Sequence, residues 1–259
     1  MDTALVQPID ELWAYVFPWI REDEDRPNRC TVFGSGLLLA VGDARLIVTA
    51  AHVLDEFGDG TIYLARGMTF EGARCTATST QVPANGTRED DEIDIAVVRL
   101  PVEVGLAMER FGCRFLDPAL LAPEIAPTSP ARFLFMGYPS RRNQPWSTER
   151  IIRPEGVAAR CLRVPHEDVG DLGWHPDLHV LGRFRRDYMA DHSGARMTAP
   201  LPHGMSGGPV WVQRPGSNEF VVAGIGIEYN RHRHLLVGTH VGAVSYLIRQ
   251  AFPDLYGLI

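Results

Sequence analysis

A serine in a tight, glycine-bounded turn is the residue of this chain with the clearest capacity for chemistry. Ser206 lies in the run GMSGGP, and two earlier runs, TAAHV around His52 and IDIAVV around Asp94, supply a histidine and an aspartate. A serine hydroxyl becomes a good nucleophile when an imidazole takes its proton, and a carboxylate fixes the tautomer of that imidazole and stabilises its charged form. The three runs together predict a Ser-His-Asp hydrolase.

The turn itself supplies a second requirement of this chemistry. A tetrahedral oxyanion needs hydrogen-bond donors aimed at it, and the backbone N–H groups of Gly204 and Ser206 are the predicted donors. Glycine at 204, 207 and 208 permits backbone angles that a side chain would penalise.

Each run also has a plainer interpretation. His52 fits a buried core histidine at a strand end, Asp94 fits an aspartate that satisfies a turn, and residues 204–209 fit a surface turn. The plainer interpretation requires all three runs, in this order along the chain, to have only structural roles. The catalytic interpretation is therefore favoured.

The three runs resemble those of the trypsin/chymotrypsin-like serine peptidases. The chain order His52, Asp94, Ser206 agrees with that family and differs from the subtilisin-like and α/β-hydrolase orders. The run GSGLLL at 34–39 and the run FMGYP at 135–139 also resemble the intracellular and HtrA-like bacterial branch. The likeness covers about residues 31 to 250, judged by triad order and strand pattern.

The resemblance implies an all-β fold of two six-stranded antiparallel β-barrels with short N-terminal and C-terminal helices. It implies a serine endopeptidase that hydrolyses peptide bonds through an acyl-enzyme intermediate, with a protein or peptide as substrate and no cofactor. In secreted digestive relatives an aspartate before the nucleophile pairs with a new N-terminus after zymogen cleavage, and here that position is Met205. We therefore expect control by a regulatory protein partner or an effector instead of by cleavage.

The pattern along the chain divides it into three parts, namely an N-terminal helix and charged segment (1–30), a peptidase domain (31–250) and a C-terminal helix and tail (242–259). Apolar spacing predicts helices over 5–20 and 242–252. Short β-type runs separated by Gly, Asp and Pro predict a first barrel over about 31–100, a surface connection over 101–130 and a second barrel over 131–241. The predicted strands are 36–41, 45–51, 61–65, 93–100, 131–136, 151–163, 180–184, 208–212, 220–227 and 235–241.

Composition excludes several other classes of protein. The formal net charge of −7 over 259 residues argues against a nucleic-acid partner, although basic clusters occur at 183–186 and 231–234. No stretch is long and apolar enough to cross a membrane, and residues 1–29 lack the pattern of a signal peptide. A cytoplasmic location without membrane attachment is expected.

The cysteines and histidines do not indicate a metal site. The four cysteines are widely scattered, and Val53 follows the histidine where many secreted relatives carry a cysteine, so free thiols are expected. His232, His234 and His240 form an alternative metal cluster, but a His-x-His run in an arginine-rich turn is more typical of a surface loop. No metal is predicted.

Substrate preference follows only weakly from the residues. Basic-specific relatives carry an acid six residues before the nucleophile, and here Pro200 occupies that position. The strand with Ile225, Gly226, Ile227 and Glu228 is predicted to line the primary pocket and to pair with an extended substrate. A small or apolar residue before the scissile bond is favoured, and Glu228 or Asp191 is the alternative source of negative charge.

Two further alternatives stay open at this point. The segment 165–202 is long and polar, which is typical of a lid or a regulatory loop. A non-catalytic peptide-binding module on the same fold is the second functional hypothesis. The intact set of nucleophile, base, orienting carboxylate and glycine turn argues against it.

Overall fold

The structure is a computed structural model. It describes residues 6–23, 26–57, 62–64, 68–70, 74–122, 132–143, 146–147, 154–170, 173–190, 196–214 and 217–259. The chain is built mostly of strands, arranged as a first antiparallel sheet followed by a closed second barrel. Short helices lie at the start, at the end and between the two halves.

The first half is a six-stranded antiparallel sheet. Its strands are β1 (Val16–Asp23), β2 (Arg26–Val41), β3 (Ala44–Ala50), β6 (Thr76–Ser79), β7 (Ile95–Arg99) and β9 (Trp146–Ser147). They follow the order β1-β2-β3-β7-β6, with β9 on β2, while β4 (Ile62–Leu64) and β5 (Met68–Phe70) pair with each other. Within the described residues this sheet is open between β1 and β6. Together with the closed barrel of the second half, it is consistent with the predicted trypsin-like double barrel.

The second half is a closed six-stranded antiparallel barrel, as predicted. Its strands are β8 (Arg132–Gly137), β10 (Val157–Arg163), β11 (His179–Arg183), β14 (Pro209–Gln213), β15 (Phe220–Asn230) and β16 (Leu235–His240), in the order β10-β11-β16-β15-β14-β8. Two short strands, β12 (Met189–Ala190) and β13 (Arg196–Met197), form a separate hairpin. Because β11 belongs to the barrel wall, segment 165–202 is not one continuous loop.

The predicted N-terminal helix is wrong beyond its first half. Helix α1 spans Val6–Leu12, a 3₁₀ turn follows at Trp13–Tyr15, and β1 then pairs along β2. Pro18 cannot continue a helix, and the aromatic and β-branched neighbours Phe17, Trp19 and Ile20 suit a strand. All three of those neighbours are buried, so residues 16–23 belong to the first sheet and not to a separate segment.

The connection between the halves is more ordered than predicted. Helix α3 (Val102–Arg110) buries Val104 and Met108 against the first sheet, and Leu116 and Leu121 are buried beyond it. Residues 123–131 lie outside the described residues. After the second barrel, α4 (Val241–Ala251) forms as predicted, with the imidazole of its N-cap residue, His240, accepting from the N–H of Gly242.

A continuous apolar core joins the two halves at the seam, which is the boundary between the first sheet (16–99) and the second barrel (132–240). Leu37, Val48 and Val97 of the sheet belong to the same buried cluster as Met136 and Trp211 of the barrel. Burial of apolar surface holds the halves together, and the positions of the polar groups along the seam are thereby fixed.

Candidate active site

His52 and Asp94 meet at one end of the first sheet. His52 lies in the first turn of α2 (Ala51–Asp55), directly after β3, and Asp94 directly precedes β7. The Nδ1 of His52 lies 2.5 Å from Oδ2 of Asp94, and the backbone N–H of His52 donates to Oδ1 at 2.9 Å. The carboxylate therefore fixes both the imidazole and the backbone that carries it.

The carboxylate changes the protonation of the histidine. Burial by itself lowers the pKa of His52, but the hydrogen bond and the negative charge of Asp94, with the charges of Glu56 and Asp55, outweigh it. The pKa of His52 is raised above its ordinary value of 6.5. An imidazole held in this way is a stronger proton acceptor.

Asp94 has an unusual backbone that its neighbours hold in place. Its φ is +46°, in the left-handed region that non-glycine residues seldom adopt. The N–H of Ala51 donates to its carbonyl at 3.0 Å. Such a conformation persists only where the surroundings over-determine it, and it is concentrated at functional sites.

The second barrel contributes to that support. The hydroxyl of Thr239 donates to the carbonyl of Ile93 at 2.5 Å, and Nε2 of His179 lies 2.7 Å from the carbonyl of Glu92. His179 and Thr239 are buried and face each other in the ladder between β11 and β16. Since the N–H of His175 donates to Nδ1 of His179, Nε2 carries the proton and donates to Glu92.

Ser206 lies in the nucleophile turn, defined here as residues 203–208. Gly204 and Gly207 have φ of +90° and +86°, and a side chain at 207 would overlap the carbonyl oxygen of Ser35. Both positions therefore require glycine. The turn is anchored to the first sheet by the N–H of Ser35, which donates to the carbonyl of Ser206 at 2.8 Å.

Four successive carbonyl groups of the turn are hydrogen-bonded. The carbonyl of His203 accepts from the N–H of Ser140 at 2.8 Å, and that of Met205 accepts from the N–H of Gly208 at 3.0 Å. Those of Gly204 and Ser206 both accept from Ser35. By contrast, the N–H groups of Gly204 and Ser206 have no acceptor among the described residues, which is the arrangement an oxyanion site requires.

The hydroxyl of Ser206 donates to the carbonyl of Ile227 at 3.3 Å. No hydrogen bond joins it to His52 in the described part of the chain. Ile227 is the extra residue of a β-bulge, because Gly226 and Glu228 pair with successive residues of β16 while Ile227 has no partner there. Bulges of this kind recur beside active sites, where they direct a backbone group outward.

A narrow cleft opens beside Ser206. Gly226, Ile227 and Glu228 line this cleft, whereas Ile225 is fully buried in the seam core. Most of its remaining lining is apolar, and its free space is about 20 Å³. The described lining residues are Phe135, Met136, Pro202, Met205, Ser206, Gly208, Gly226, Ile227, Glu228, Tyr229, Leu236 and Val237.

The other candidates lie elsewhere. His232 and His234 are exposed in the turn between β15 and β16, and His240 caps α4. No group of three or more metal-ligating side chains occurs among the described residues. Pro200 is half-buried and precedes the nucleophile turn in the chain, and Asp191 lies outside the described residues.

Several supporting residues were not identified from the sequence. The runs around Ser35 and Gly137 carry the family resemblance, but the sequence indicates no role for either residue. A side chain at 137 would meet Met205 and the hydroxyl of Ser35 at about 3 Å, so only glycine fits there. His179 and Thr239 gave no signal, because their partners are carbonyl groups 87 and 146 residues away in the chain.

The comparisons with known proteins agree with this geometry. Residues 34–217 match the family model described as "Trypsin-like peptidase domain". The chain therefore belongs to the trypsin-like peptidase family, and it is a trypsin-like serine protease. No curated protein sequence matches the chain.

Among solved structures, the fold is similar to the crystal structure of the Rv3671c protease in an inactive form. The TM-score is 0.51 and the sequence identity 19%, and the match covers 97% of this chain and 96% of that chain. The resemblance therefore extends beyond the family match to the N-terminal strand and to the C-terminal helix.

Two further findings concern the wider chemistry of the chain. All four cysteines are free thiols, and burial raises the pKa of Cys30 and of Cys75 to about 11 and that of Cys113 and Cys161 as well. They are poor nucleophiles in that state. Over the described residues, none of the helices has the length and apolar character needed to span a membrane.

Proposed function

We propose that this protein is a serine endopeptidase in which Ser206 attacks the peptide carbonyl, His52 takes its proton and Asp94 orients the imidazole. The observation that carries the proposal is the nucleophile turn. The carbonyl groups of residues 203–206 accept hydrogen bonds, while the N–H groups of Gly204 and Ser206 have no acceptor in the part of the chain that the structure describes. Such donors stabilise the developing oxyanion of acyl transfer.

The proposed route to attack begins with displacement of the serine hydroxyl. An extended substrate added along β15 has a backbone N–H that competes for the carbonyl of Ile227. Losing that acceptor frees the hydroxyl of Ser206 to rotate toward His52, a side-chain motion that takes picoseconds to nanoseconds. His52 then receives the proton, the acyl-enzyme forms, and His52 returns the proton to the leaving amine.

The proposed substrate has a small, apolar residue before the scissile bond. The free space of the cleft, about 20 Å³, holds about one water-sized group, and Phe135 and Leu236 are among its apolar walls. Glu228 is exposed at the mouth of the cleft, so its charge is solvated. This favours alanine-sized side chains over basic or aromatic ones.

Activation without cleavage is the fourth part of the proposal. Met205 is buried among apolar side chains of the second barrel, where a zymogen aspartate would need a cationic partner. Control by a protein partner or an effector follows from that difference. A cytoplasmic location is supported by the four free thiols.

The proposal is tested with peptide phosphonates, which react covalently with an activated serine. We expect one label per molecule in the wild-type protein, fastest with an alanine-like side chain and slowest with an arginine-like one. Ser206→Ala abolishes both labelling and peptide cleavage, whereas Ser245→Ala in α4 retains both. Labelling of the Ser206→Ala variant, or binding of peptide without any cleavage by the wild type, contradicts the proposal.

A further inference from the structure

Ser35 lies where the first sheet meets the nucleophile turn, and every polar group it has is used there. Its side chain is fully buried. The hydroxyl donates to the carbonyl of Gly204 at 2.7 Å and accepts from the N–H of Tyr138 at 2.9 Å. Its N–H donates to the carbonyl of Ser206 at 2.8 Å, and its carbonyl accepts from the hydroxyl of Thr49 at 2.7 Å.

These bonds set the orientation of the peptide unit between Gly204 and Met205. The carbonyl of that unit points to Ser35, and its N–H, on Met205, donates to the carbonyl of Pro202 at 2.9 Å. Gly204 has little intrinsic barrier to rotation about its backbone bonds, since it lacks a side chain. The hydroxyl of Ser35 is the donor that the described structure provides to the carbonyl of Gly204.

We propose that Ser35 is a positioning residue for the oxyanion site: its hydroxyl, supplied by the first sheet, holds the Gly204 carbonyl so that the N–H groups of Gly204 and Ser206 converge on the substrate. This inference rests on the proposed function. It adds that the oxyanion site, although built from the second barrel, is complete only when the first sheet is docked against it.

The consequence for catalysis is specific to the transition state. Without the hydroxyl, the carbonyl of Gly204 loses its donor, and the peptide unit keeps one anchor of two, the bond from the N–H of Met205 to the carbonyl of Pro202. The oxyanion donors then lose their alignment, while the cleft and the strand that bind the substrate are unchanged. Removing one direct oxyanion donor lowers kcat by about 10²–10³, so a residue that acts on the donors indirectly is expected to cost about 10–10².

The test compares Ser35→Ala with the wild type in four measurements. We expect kcat to fall about 10- to 100-fold while KM stays within about twofold, as for an interaction made only in the transition state. A peptide boronate, which forms a tetrahedral adduct with Ser206, should bind more weakly by the same factor as kcat/KM. In the Ser206→Ala background, Ser35→Ala should leave the affinity for the unreactive parent peptide unchanged.

Two controls separate positioning from general destabilisation. Val104→Ala shortens a buried side chain of α3, a helix that makes no hydrogen bond to the nucleophile turn among the described residues. It should lower the melting temperature without changing kcat of the folded enzyme. Ser35→Cys keeps the approximate shape of the side chain but has a weaker hydrogen-bond donor, so its kcat should lie between those of the wild type and Ser35→Ala. If Ser35→Ala does not fold, the kcat of Ser35→Cys tests the role of Ser35 instead.

The outcomes distinguish this inference from the proposed function. An active wild type with unchanged kcat in the folded Ser35 variants, or with equal losses in boronate and parent-peptide affinity, overturns the role of Ser35 alone. A wild type that neither cleaves peptides nor reacts with phosphonates overturns the proposed function itself.

Discussion

At the scale of single residues, we expect the contact between His52 and Asp94 to make activity depend on pH. The general base must be neutral, and the pKa of His52 is raised above 6.5 because Asp94, Glu56 and Asp55 outweigh the effect of burial. We expect kcat/KM to fall as the pH drops, with a midpoint above the ordinary histidine value. The stability of the folded protein changes with pH in the opposite direction to activity. The His52–Asp94 pair stabilises the folded state below the pKa that His52 has in the unfolded chain, and this stabilisation is lost as the pH rises through the pKa of His52 in the folded protein.

The pH profile of kcat/KM, measured at low ionic strength, checks this expectation. Glu56→Gln removes one of the charges that raise the pKa and should move the midpoint to lower pH, while Glu103→Gln in α3 should leave it unchanged. A profile that stays flat down to pH 5 is incompatible with His52 as the base.

Asp94→Asn is a second test at this scale, and the backbone makes asparagine the suitable replacement. Asparagine tolerates the left-handed φ of +46°, and its carbonyl oxygen can still accept from the N–H of His52. Its amide group would face Nδ1, however, and would favour the wrong tautomer. We expect an intact melting temperature with kcat lowered by about 10⁴, the size known for this substitution in Ser-His-Asp peptidases. A loss under tenfold would mean that another carboxylate orients His52.

The identities of the candidate catalytic residues could be predicted from sequence, and the groups that hold them could not. Ser206, His52 and Asp94 are singled out by residue type, flanking residues and order. Ser35 acts through a peptide unit 169 residues away, and a serine between two glycines gives no sign of its partner. Such contacts depend on how the two halves dock, which local pattern does not encode.

At the scale of elements, strands β11 and β16 hold the segment before Asp94. Thr239→Val keeps the shape of the side chain but leaves the carbonyl of Ile93 without its buried donor. We expect a loss of about 1–3 kcal/mol in the free energy of unfolding, together with a reduced kcat, because Asp94 loses part of its support. Denaturant unfolding and steady-state kinetics measure the two effects. Thr76→Val, at an exposed position of β6, serves as the control, and an unchanged kcat in Thr239→Val would contradict the coupling.

The elements themselves were predictable to different degrees. All six strands of the second barrel were predicted, five of them to within three residues at each end, because alternating apolar residues and glycine or proline boundaries mark them clearly. The strand predicted over 151–163 begins only at Val157, and residues 151–153 lie outside the described residues. The helix predicted over 5–20 is wrong after Leu12, where a 3₁₀ turn and then β1 follow. Its apolar residues are nearly continuous and fit both the helix and the strand period, and Pro18 is the residue that argues against a helix. Helix α3 is longer than the single helical turn that the sequence predicts for this connection, because the prolines nearby indicate little regular structure.

At the scale of the whole molecule, we expect the protein to be competent without proteolysis. The nucleophile turn is held by Ser35, and β1 already lies in the first sheet with Trp19 buried. Protein that begins at Met1 should therefore react with a phosphonate as made, or after addition of an effector, with its mass otherwise unchanged. Intact mass spectrometry of the labelled sample gives the answer. Reactivity that appears only after a cut upstream of Thr31 would contradict this expectation.

Because hydrogen bonds across the seam hold groups that are proposed to act in catalysis, enzymatic activity should report whether the two halves are in contact. The bonds from Ser35 to Gly204, from Thr239 to Ile93 and from His179 to Glu92 all cross it, and each supports a group proposed to act in catalysis. A slight separation of the two halves would break these hydrogen bonds and abolish activity, while the strands of each half stay intact. In mild denaturant, inactivation should thus precede the fluorescence change of Trp19, whose indole is buried within the core of the first sheet.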